Sequence, residues 1–152
     1  MPRCYFLAVS NGSSLDHFTN NWSLFGLVGR IALEGEEAPT VESPILAPLE
    51  VLTFWRFSQE ELNTAFEWRL VATVAGSDLN CSREFSIKPE KKEMRHRVKG
   101  LSIVAAGESE LRVECRKKGS QVWERAEAVW LLKVLFTQKS ATTKSLNLPQ
   151  GE

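Results

Sequence analysis

The segment Phe66–Val74 constrains the fold most strongly, because large apolar and polar residues alternate along it with a period of two. Phe66 and Trp68 belong to one set, whereas Glu67 and Arg69 belong to the other. Alternation of this kind places the two sets on opposite faces of a strand, whereas a helix would scatter both sets around its surface. The pattern therefore predicts a strand with one buried face, and the rest of the chain must supply its partners.

Other segments combine strand-forming residues with turn residues at their ends. The predicted strands are Cys4–Val9, Trp22–Leu33, Leu49–Phe57, Cys81–Lys88, Leu101–Ala105, Leu111–Cys115 and Val122–Phe136. A buried helix is the competing interpretation of Trp22–Leu33, but Gly26 and Gly29 would each cost a helix about 1 kcal/mol relative to Ala. In Val122–Phe136 a bend or bulge is expected near Ala126–Ala128, and an amphipathic helix is the alternative.

The connections between these strands carry their own signals. Ser10–Ser14 is a cluster of turn formers, and Ala75–Asp78 has the composition of a hairpin loop. Glu34–Pro48 is rich in Glu and Pro, which predicts an exposed loop. Ser58–Glu61 matches a capping box and predicts one helical turn.

Short strands joined by turns, with no credible crossover helices, predict an all-β fold. We expect one antiparallel β-sandwich of about 7–9 strands with short loops over residues 1–137. Two packed sheets are favoured over a closed barrel, since the continuous apolar runs need cover on both faces. Residues 138–152 contain few apolar residues, which predicts a flexible, disordered C-terminal tail.

Composition narrows the chemistry that the protein can perform. Of the 19 acidic residues only Asp16 and Asp78 are Asp, so the Asp-rich loops of calcium and magnesium sites are missing. The formal net charge of zero removes any bulk attraction to nucleic acid or anionic membrane. We therefore expect no metal, no cofactor and no membrane association.

The three cysteines, Cys4, Cys81 and Cys115, are widely spaced and odd in number, which favours free thiols in a reducing compartment. Cys115 falls in phase with Leu111 and Val113 and should be buried. No apolar run reaches the length of a membrane span, and the N-terminus lacks a signal-peptide pattern. The expected location is the cytoplasm.

Catalytic signatures are missing from the sequence: it contains no phosphate-binding Gly-rich loop, G-x-S-x-G elbow or H-E-x-x-H motif. His17 and His96 are the only histidines available for proton transfer. Asp16 and His17 are adjacent, so in an extended chain their side chains point apart. We therefore expect a protein that is not an enzyme.

The densest basic run in the chain lies between residues 88 and 99. Its candidate contact residues for a partner are Lys91, Lys92, Arg95, Arg97 and Lys99. Residues 34–67 contain eight acidic residues and only Arg56 as a basic residue, so the charge of the domain is polarised along the chain. Such polarity suits a charged protein partner or a nucleic acid, and solvated surface charge is the third interpretation.

Aromatic residues offer a second route to binding. The chain has five tryptophans, Trp22, Trp55, Trp68, Trp123 and Trp130, and most should belong to the core. Any that were exposed would form a platform for a protein or a sugar ring. Aromatics near a basic run can also grip single-stranded nucleic acid, although Phe85 is expected to pack inward.

The hydrophobic spacing of several segments resembles that of an uncharacterised family of small bacterial single-domain β-sandwich proteins. These segments are Trp22–Ile31, Phe66–Val74, Arg97–Ile103, Gly107–Val113 and Trp130–Val134, and the resemblance spans residues 4–136. It implies a cytosolic bacterial or phage-borne domain and supplies no catalytic residues. By analogy of fold, the resemblance implies that such a sandwich can serve as an accessory subunit of a larger assembly, including a defence system.

These observations favour a non-enzymatic interaction domain, an accessory or adaptor subunit whose sheet face or edge meets a protein partner. The alternative is a nucleic-acid-binding module that uses the basic run Lys88–Lys99, and a hydrolase ranks third. The sequence names neither the partner nor the oligomeric state.

Overall fold

The computed structural model describes residues 1–139, which form two β-sheets with a shared core. The strands are β1 (Arg3–Asp16), β2 (Asn21–Leu27), β3 (Arg30–Gly35), β4 (Ile45–Arg56), β5 (Phe66–Val74), β6 (Ser77–Asn80), β7 (Phe85–Ile87), β8 (Glu93–Ile103), β9 (Gly107–Lys117) and β10 (Glu124–Gln138). The predicted all-β sandwich is confirmed. Its described part has ten strands, slightly more than expected.

The four-stranded sheet has the order β2-β1-β4-β8, and every neighbouring pair in it is antiparallel. The six-stranded sheet has the order β3-β10-β9-β5-β6, with β7 also paired to β5. One pairing is parallel: Ile31 of β3 lies opposite Val134 of β10. No hairpin joins these two strands, so no tight turn forces them to run antiparallel.

The core lies between the sheets and is centred on two aromatic residues. Trp55 of β4 and Trp68 of β5 are both fully buried, and their ring centroids are 5.6 Å apart. Phe66 and Leu70 bury the same face of β5, as the alternation in this segment predicts. Phe85 stacks on Trp68 at 4.5 Å and confirms the expectation that it packs inward.

The first predicted turn is wrong. Ser10–Ser14 lies inside β1, which continues to Asp16, and the turn to β2 spans residues 17–20. The polar residues of β1 pair with β2 in a hairpin, so their backbone is satisfied by a strand although their composition resembles a turn. The turn-forming residues Ser10–Ser14 therefore belong to the C-terminal half of β1 and do not end it.

The predicted strand Trp22–Leu33 divides at Val28 and Gly29 into β2 and β3, which belong to different sheets. The backbone N–H of Val28 still donates to Val9 in the four-stranded sheet, at 2.8 Å. Gly29 already accepts from Lys133 N in the six-stranded sheet, at 2.9 Å. Both strands are apolar, so hydrophobic spacing alone cannot reveal where the chain changes sheet.

The predicted loop Glu34–Pro48 is shorter in the structure, because strands extend into both of its ends. The loop Glu34–Pro48 is irregular only over residues 36–44, and Pro48 lies in β4 at a bulge opposite Gly100. A bulge tolerates Pro because the ladder is interrupted there. In β10 the register shifts between Arg125 and Val129, so the bulge expected near Ala126–Ala128 is confirmed.

The segment Cys81–Lys88 is not one strand. β6 and β7 lie along the same side of β5, and residues 81–84 loop out between them. Ser82 Oγ accepts from Leu70 N at 2.8 Å, and Cys81 N donates to Leu70 O at 3.1 Å. The backbone of β5 is therefore still paired where the neighbouring strand is interrupted.

Two further expectations concern the helical turn and the tail. The capping-box segment forms one 3-10 turn at Gln59–Glu61, and Ser58 N donates to a Glu61 carboxylate oxygen at 2.9 Å. The predicted tail lies outside the described residues from residue 140 onward, whereas Gln138 ends β10. Within residues 1–139 no helix is long and apolar enough to cross a membrane.

Candidate functional site

The basic run extends from a loop into a strand that has a free side. Arg95, Arg97 and Lys99 alternate along β8, so they share the face that points away from the core. Lys91 and Lys92 are exposed in the connection before β8. The structure therefore brings three of the five predicted contact residues together on one strand face and leaves the other two in the adjoining loop.

Arg95 and Arg97 contact the β1–β2 hairpin. Arg95 Nη1 donates to the carbonyl of Asn20 at 2.6 Å, and its guanidinium lies 4.9 Å from the centroid of the Phe54 ring. Arg97 Nη1 donates to Ser13 Oγ at 3.2 Å, and Arg97 Cζ lies 5.4 Å from the Trp22 ring centroid. The two guanidinium groups are thus engaged within the protein.

These contacts show that the hairpin lies over the outer face of the four-stranded sheet. Ser13 Oγ also donates to Glu50 Oε2 of β4 at 2.5 Å. Leu52 is the register partner of Arg97 and faces away from the core, yet it is only 1% exposed. The hairpin covers this residue, so part of the outer face is not available to a partner.

A groove of about 400 Å³ follows β8, with Leu46 of β4 at one end and residues of β5 and of the segment after β6 across from it. Every residue from His96 to Ser102 lines it, which requires the groove to follow the edge of the strand and not one of its faces. Within residues 1–139, β8 pairs only with β4. We call this unpaired side of β8 the free edge and the adjoining space the edge groove.

The opposite wall of the edge groove is the loop between β6 and β7. Ser82 and Arg83 belong to this loop, and the buried side chains of Leu70, Cys81 and Phe85 lie at its base. The basic side chains in its lining are Arg83, Arg97 and Lys99. None of the described residues that line the groove is Asp or Glu.

His96 closes the inner side of this groove and has a structural role. Its Nδ1 accepts a hydrogen bond from Trp68 Nε1 at 3.2 Å, and its ring packs edge-on against Trp68 and Phe85. Burial lowers the pKa of His96, and the nearby Arg83 lowers it further. His96 is therefore held as a neutral acceptor.

The other histidine lies in the turn of the β1–β2 hairpin. His17 is exposed there, and Asp16 Oδ1 accepts from Phe18 N at 2.9 Å. This hydrogen bond is the main reason that the pKa of Asp16 lies below its usual value. Asp16 therefore organises the turn.

The outer face of the six-stranded sheet is a network of opposite charges. Arg69 pairs with Glu114 at 2.9 Å, and Arg116 pairs with Glu67 at 2.8 Å. The same two guanidinium groups lie 4.2 Å and 4.1 Å from the Trp123 ring centroid. Trp123 is thus held between two arginines and does not form an open platform.

The remaining tryptophans are also engaged. Trp55 and Trp68 are buried, Trp22 lies beneath Arg97, and Trp130 Nε1 donates to Val28 O at 2.8 Å. None of the five is among the exposed large apolar residues. The condition for a tryptophan platform, an exposed indole ring, is therefore not met in the described residues.

The described residues contain no group of three or more His, Cys, Asp or Glu side chains placed to hold a metal ion. Burial raises the pKa of each cysteine thiol to about 12. These thiols are therefore poor nucleophiles near neutral pH. No family model matches the chain, and no curated protein shows significant similarity to it.

Sequence reasoning missed Ser82 and Arg83 as neighbours of the basic run. They are separated from Lys99 by more than a dozen positions and become neighbours only because the loop between β6 and β7 faces β8. No residue type in the sequence identifies a strand with an unpaired edge, because edge strands and central strands share the same alternation of apolar and polar residues. The excess of basic over acidic residues between 82 and 125 was the one available signal.

Proposed function

We propose that this chain is a non-enzymatic protein-interaction domain that binds its partner along the edge groove. The observation that carries the proposal is the unpaired β8 edge, along which residues 96–102 line one continuous groove. An unpaired strand edge presents a row of backbone donors and acceptors that another chain can pair with. An accessory or adaptor subunit of a bacterial assembly, including a defence system, would use such a surface.

The alternative is a nucleic-acid-binding module that uses the basic run. Arg95 and Arg97 hold the hairpin, so binding of phosphate would compete with contacts already made. Lys91 and Lys92 remain exposed, but Glu90 and Glu93 flank them. Few uncommitted cations leave little counterion release to support binding. We therefore rank the protein partner first.

Site-specific photo-crosslinking tests the proposal in cells that carry the gene. A photoreactive amino acid replaces Ser102 in the edge groove, and a matched variant carries it at Thr137, which is exposed on β10. We expect the Ser102 variant to crosslink one defined protein and the Thr137 variant to leave that protein uncaptured. Equal capture from both positions, or crosslinks to nucleic acid alone, would contradict the proposal.

A further inference from the structure

We propose that the partner contributes an extended acidic segment, which adds to β8 as a further strand of the four-stranded sheet. This inference rests on the proposed function and names the chemistry of the partner. It follows from the direction of the β8 backbone groups, the charge of the groove and the two sides that an added strand would present.

The backbone of β8 can be oriented from two hydrogen bonds. Phe57 N donates to Lys92 O at 2.8 Å, and Thr53 Oγ1 donates to His96 O at 3.1 Å. The even-numbered residues at this end of β8 therefore turn their backbone groups toward β4. Because successive residues alternate, the N–H and C=O groups of Arg95 and Arg97 point toward the free edge.

The length of the free edge suits strand addition. Residues 96–102 at about 3.3 Å each span roughly 20 Å, which is the length of an ordinary strand. The groove volume of about 400 Å³ falls within the range of ligand pockets. The register shift opposite Gly100 lies near the end of this stretch, so the pairing would centre on residues 96–99.

The charge of the groove selects an acidic partner. Arg83 and Lys99 are exposed in its lining, and no described lining residue is Asp or Glu, whereas Arg97 already donates to Ser13. Glu50 of β4 is the register partner of Lys99, so it lies on the side of β8 away from the free edge. Its carboxylate accepts a hydrogen bond from the Ser13 hydroxyl. Near Arg83 and Lys99 an incoming carboxylate therefore meets two positive charges against the single carboxylate of Glu50.

A second copy of the chain is a poorer occupant. Pairing β8 with the same strand of another molecule would bring Arg97 and Lys99 of both copies onto one sheet face. Like charges on facing strands destabilise a sheet, and basic edge residues are a common device against self-pairing. The same side chains that oppose self-pairing favour a strand of opposite charge.

The two sides of the added strand specify its sequence pattern. Alternate side chains would lie beside Arg97 and Lys99 on the outer face, and those between them would lie over Leu70 and Phe85. The segment should therefore alternate acidic residues with small apolar residues. This pattern defines the probe for a binding experiment.

The test uses the full chain and a fluorescein-labelled peptide of about eight residues that alternates Glu with Val. Fluorescence anisotropy should detect binding with a Kd tighter than about 1 mM. A peptide with Lys in place of Glu should not bind. A peptide N-methylated on the edge that faces β8 should also fail, because it keeps its charge but loses the backbone donors.

Variants of the protein locate the site. The double variant Arg83→Glu with Lys99→Glu should weaken binding about tenfold or more, whereas Lys117→Glu with Lys118→Glu, at the end of β9, should change it less than about twofold. Lys99→Pro should abolish binding, and Lys99→Gln should retain part of it, since Pro removes a backbone donor at the edge. Circular dichroism of each variant confirms folding.

The outcomes separate this inference from the proposed function. Binding that survives N-methylation, or that is equal for the two double variants, would overturn strand addition at β8. If the acidic peptide fails while crosslinking at Ser102 captures a defined protein, the interaction domain stands and the acidic strand is wrong. If both experiments fail, both proposals are wrong, and the basic residues along β8 serve only to keep its free edge from pairing with another copy.

Discussion

Trp68 of the six-stranded sheet donates its indole N–H to Nδ1 of His96 on the four-stranded sheet, at 3.2 Å. Trp68 is fully buried, so this hydrogen bond satisfies a donor that would otherwise cost free energy in the core. The contact requires Nδ1 to be unprotonated. It therefore links the two sheets through one protonation state of His96.

This link predicts that the protein loses stability in mild acid. Burial lowers the pKa of His96 in the folded state, with Arg83 adding to the effect. Below about pH 6.5 the unfolded chain binds a proton that the folded chain does not, so the free energy of unfolding falls as the pH falls toward the folded pKa. Chemical denaturation at several pH values between about 7.5 and 5.5 measures the change, because this range spans the ordinary histidine pKa.

Two variants provide the control for this pH dependence. His96→Gln keeps an acceptor for Trp68 but cannot titrate, so its unfolding free energy should vary less over this range. His17→Gln alters only an exposed residue of the hairpin turn and should behave like the unmodified protein. A pH dependence in His96→Gln as steep as that of the unmodified protein would assign the titration to another group.

The alternation in Phe66–Val74 predicts β5 with its bounds, because one face of this strand packs into the core and the other is mainly polar. The same principle fails for β1 beyond Ser10, where polar residues pair with β2 outside the core. It also fails at Val28, where two apolar strands follow one another in different sheets. Local pattern reports burial, but it does not report which strand lies alongside.

Sequence reasoning likewise predicted only part of the candidate site. The basic run was visible in the sequence, and the alternation of Arg95, Arg97 and Lys99 on one face follows from their spacing. The contacts of Arg95 and Arg97 with the hairpin were not predictable, because Ser13 was assigned to a turn and Asn20 to no element. The free edge depends on strand order, which no local signal contains.

The second prediction concerns the hairpin that covers the outer face. Arg97→Ala removes the hydrogen bond to Ser13 and the contact with the Trp22 ring. We expect a loss of about 1–2 kcal/mol in unfolding free energy, since both contacts are partly shielded from water. The hairpin should loosen, so acrylamide should quench more of the tryptophan fluorescence.

Lys99→Ala is the matched control, because Lys99 shares the strand and the face but is exposed. It should change stability by less than about 0.5 kcal/mol. Equal effects of the two substitutions would mean that Arg97 contributes general charge and does not hold the hairpin.

The third prediction tests Gly100 of β8, which lies opposite the bulge in β4. Gly100 has φ +87°, and a Cβ there would lie 3.2 Å from Leu46 Cδ1. Leu46 is exposed and can move, so Gly100→Ala should cost about 1–2 kcal/mol, mainly for the left-handed backbone. Gly119→Ala isolates that backbone cost, because its φ is +88° and no atom lies within 4 Å of its Cβ. Thermal unfolding of both variants should give similar losses, and a much larger loss at Gly100 would show that the bulge is tightly packed.

The fourth prediction concerns the cysteines. Cys4, Cys81 and Cys115 are buried, and burial raises the pKa of each thiol to about 12. In a labelling reaction at about pH 8, roughly one thiol in ten thousand is ionised. Iodoacetamide should therefore label the folded protein very slowly. Mass spectrometry should show labelling of all three after denaturation without reductant. Rapid labelling of the folded protein, or a missing label after denaturation, would contradict buried free thiols.

The last prediction separates a protein partner from nucleic acid. Neutralised phosphates release counterions, so the affinity for single strands should fall with salt with a logarithmic slope of about 0.7 per contact. Replacing Lys91, Lys92 and Arg95 with Ala should then flatten the slope by about two units. Because Arg95 is bonded to Asn20 and Glu90 and Glu93 lie nearby, we expect binding of an oligonucleotide weaker than about micromolar at physiological salt. Binding of the acidic peptide at the edge groove should survive the triple substitution. A sub-micromolar, salt-sensitive oligonucleotide complex that the triple variant loses would reverse this ranking and assign the basic run to nucleic acid.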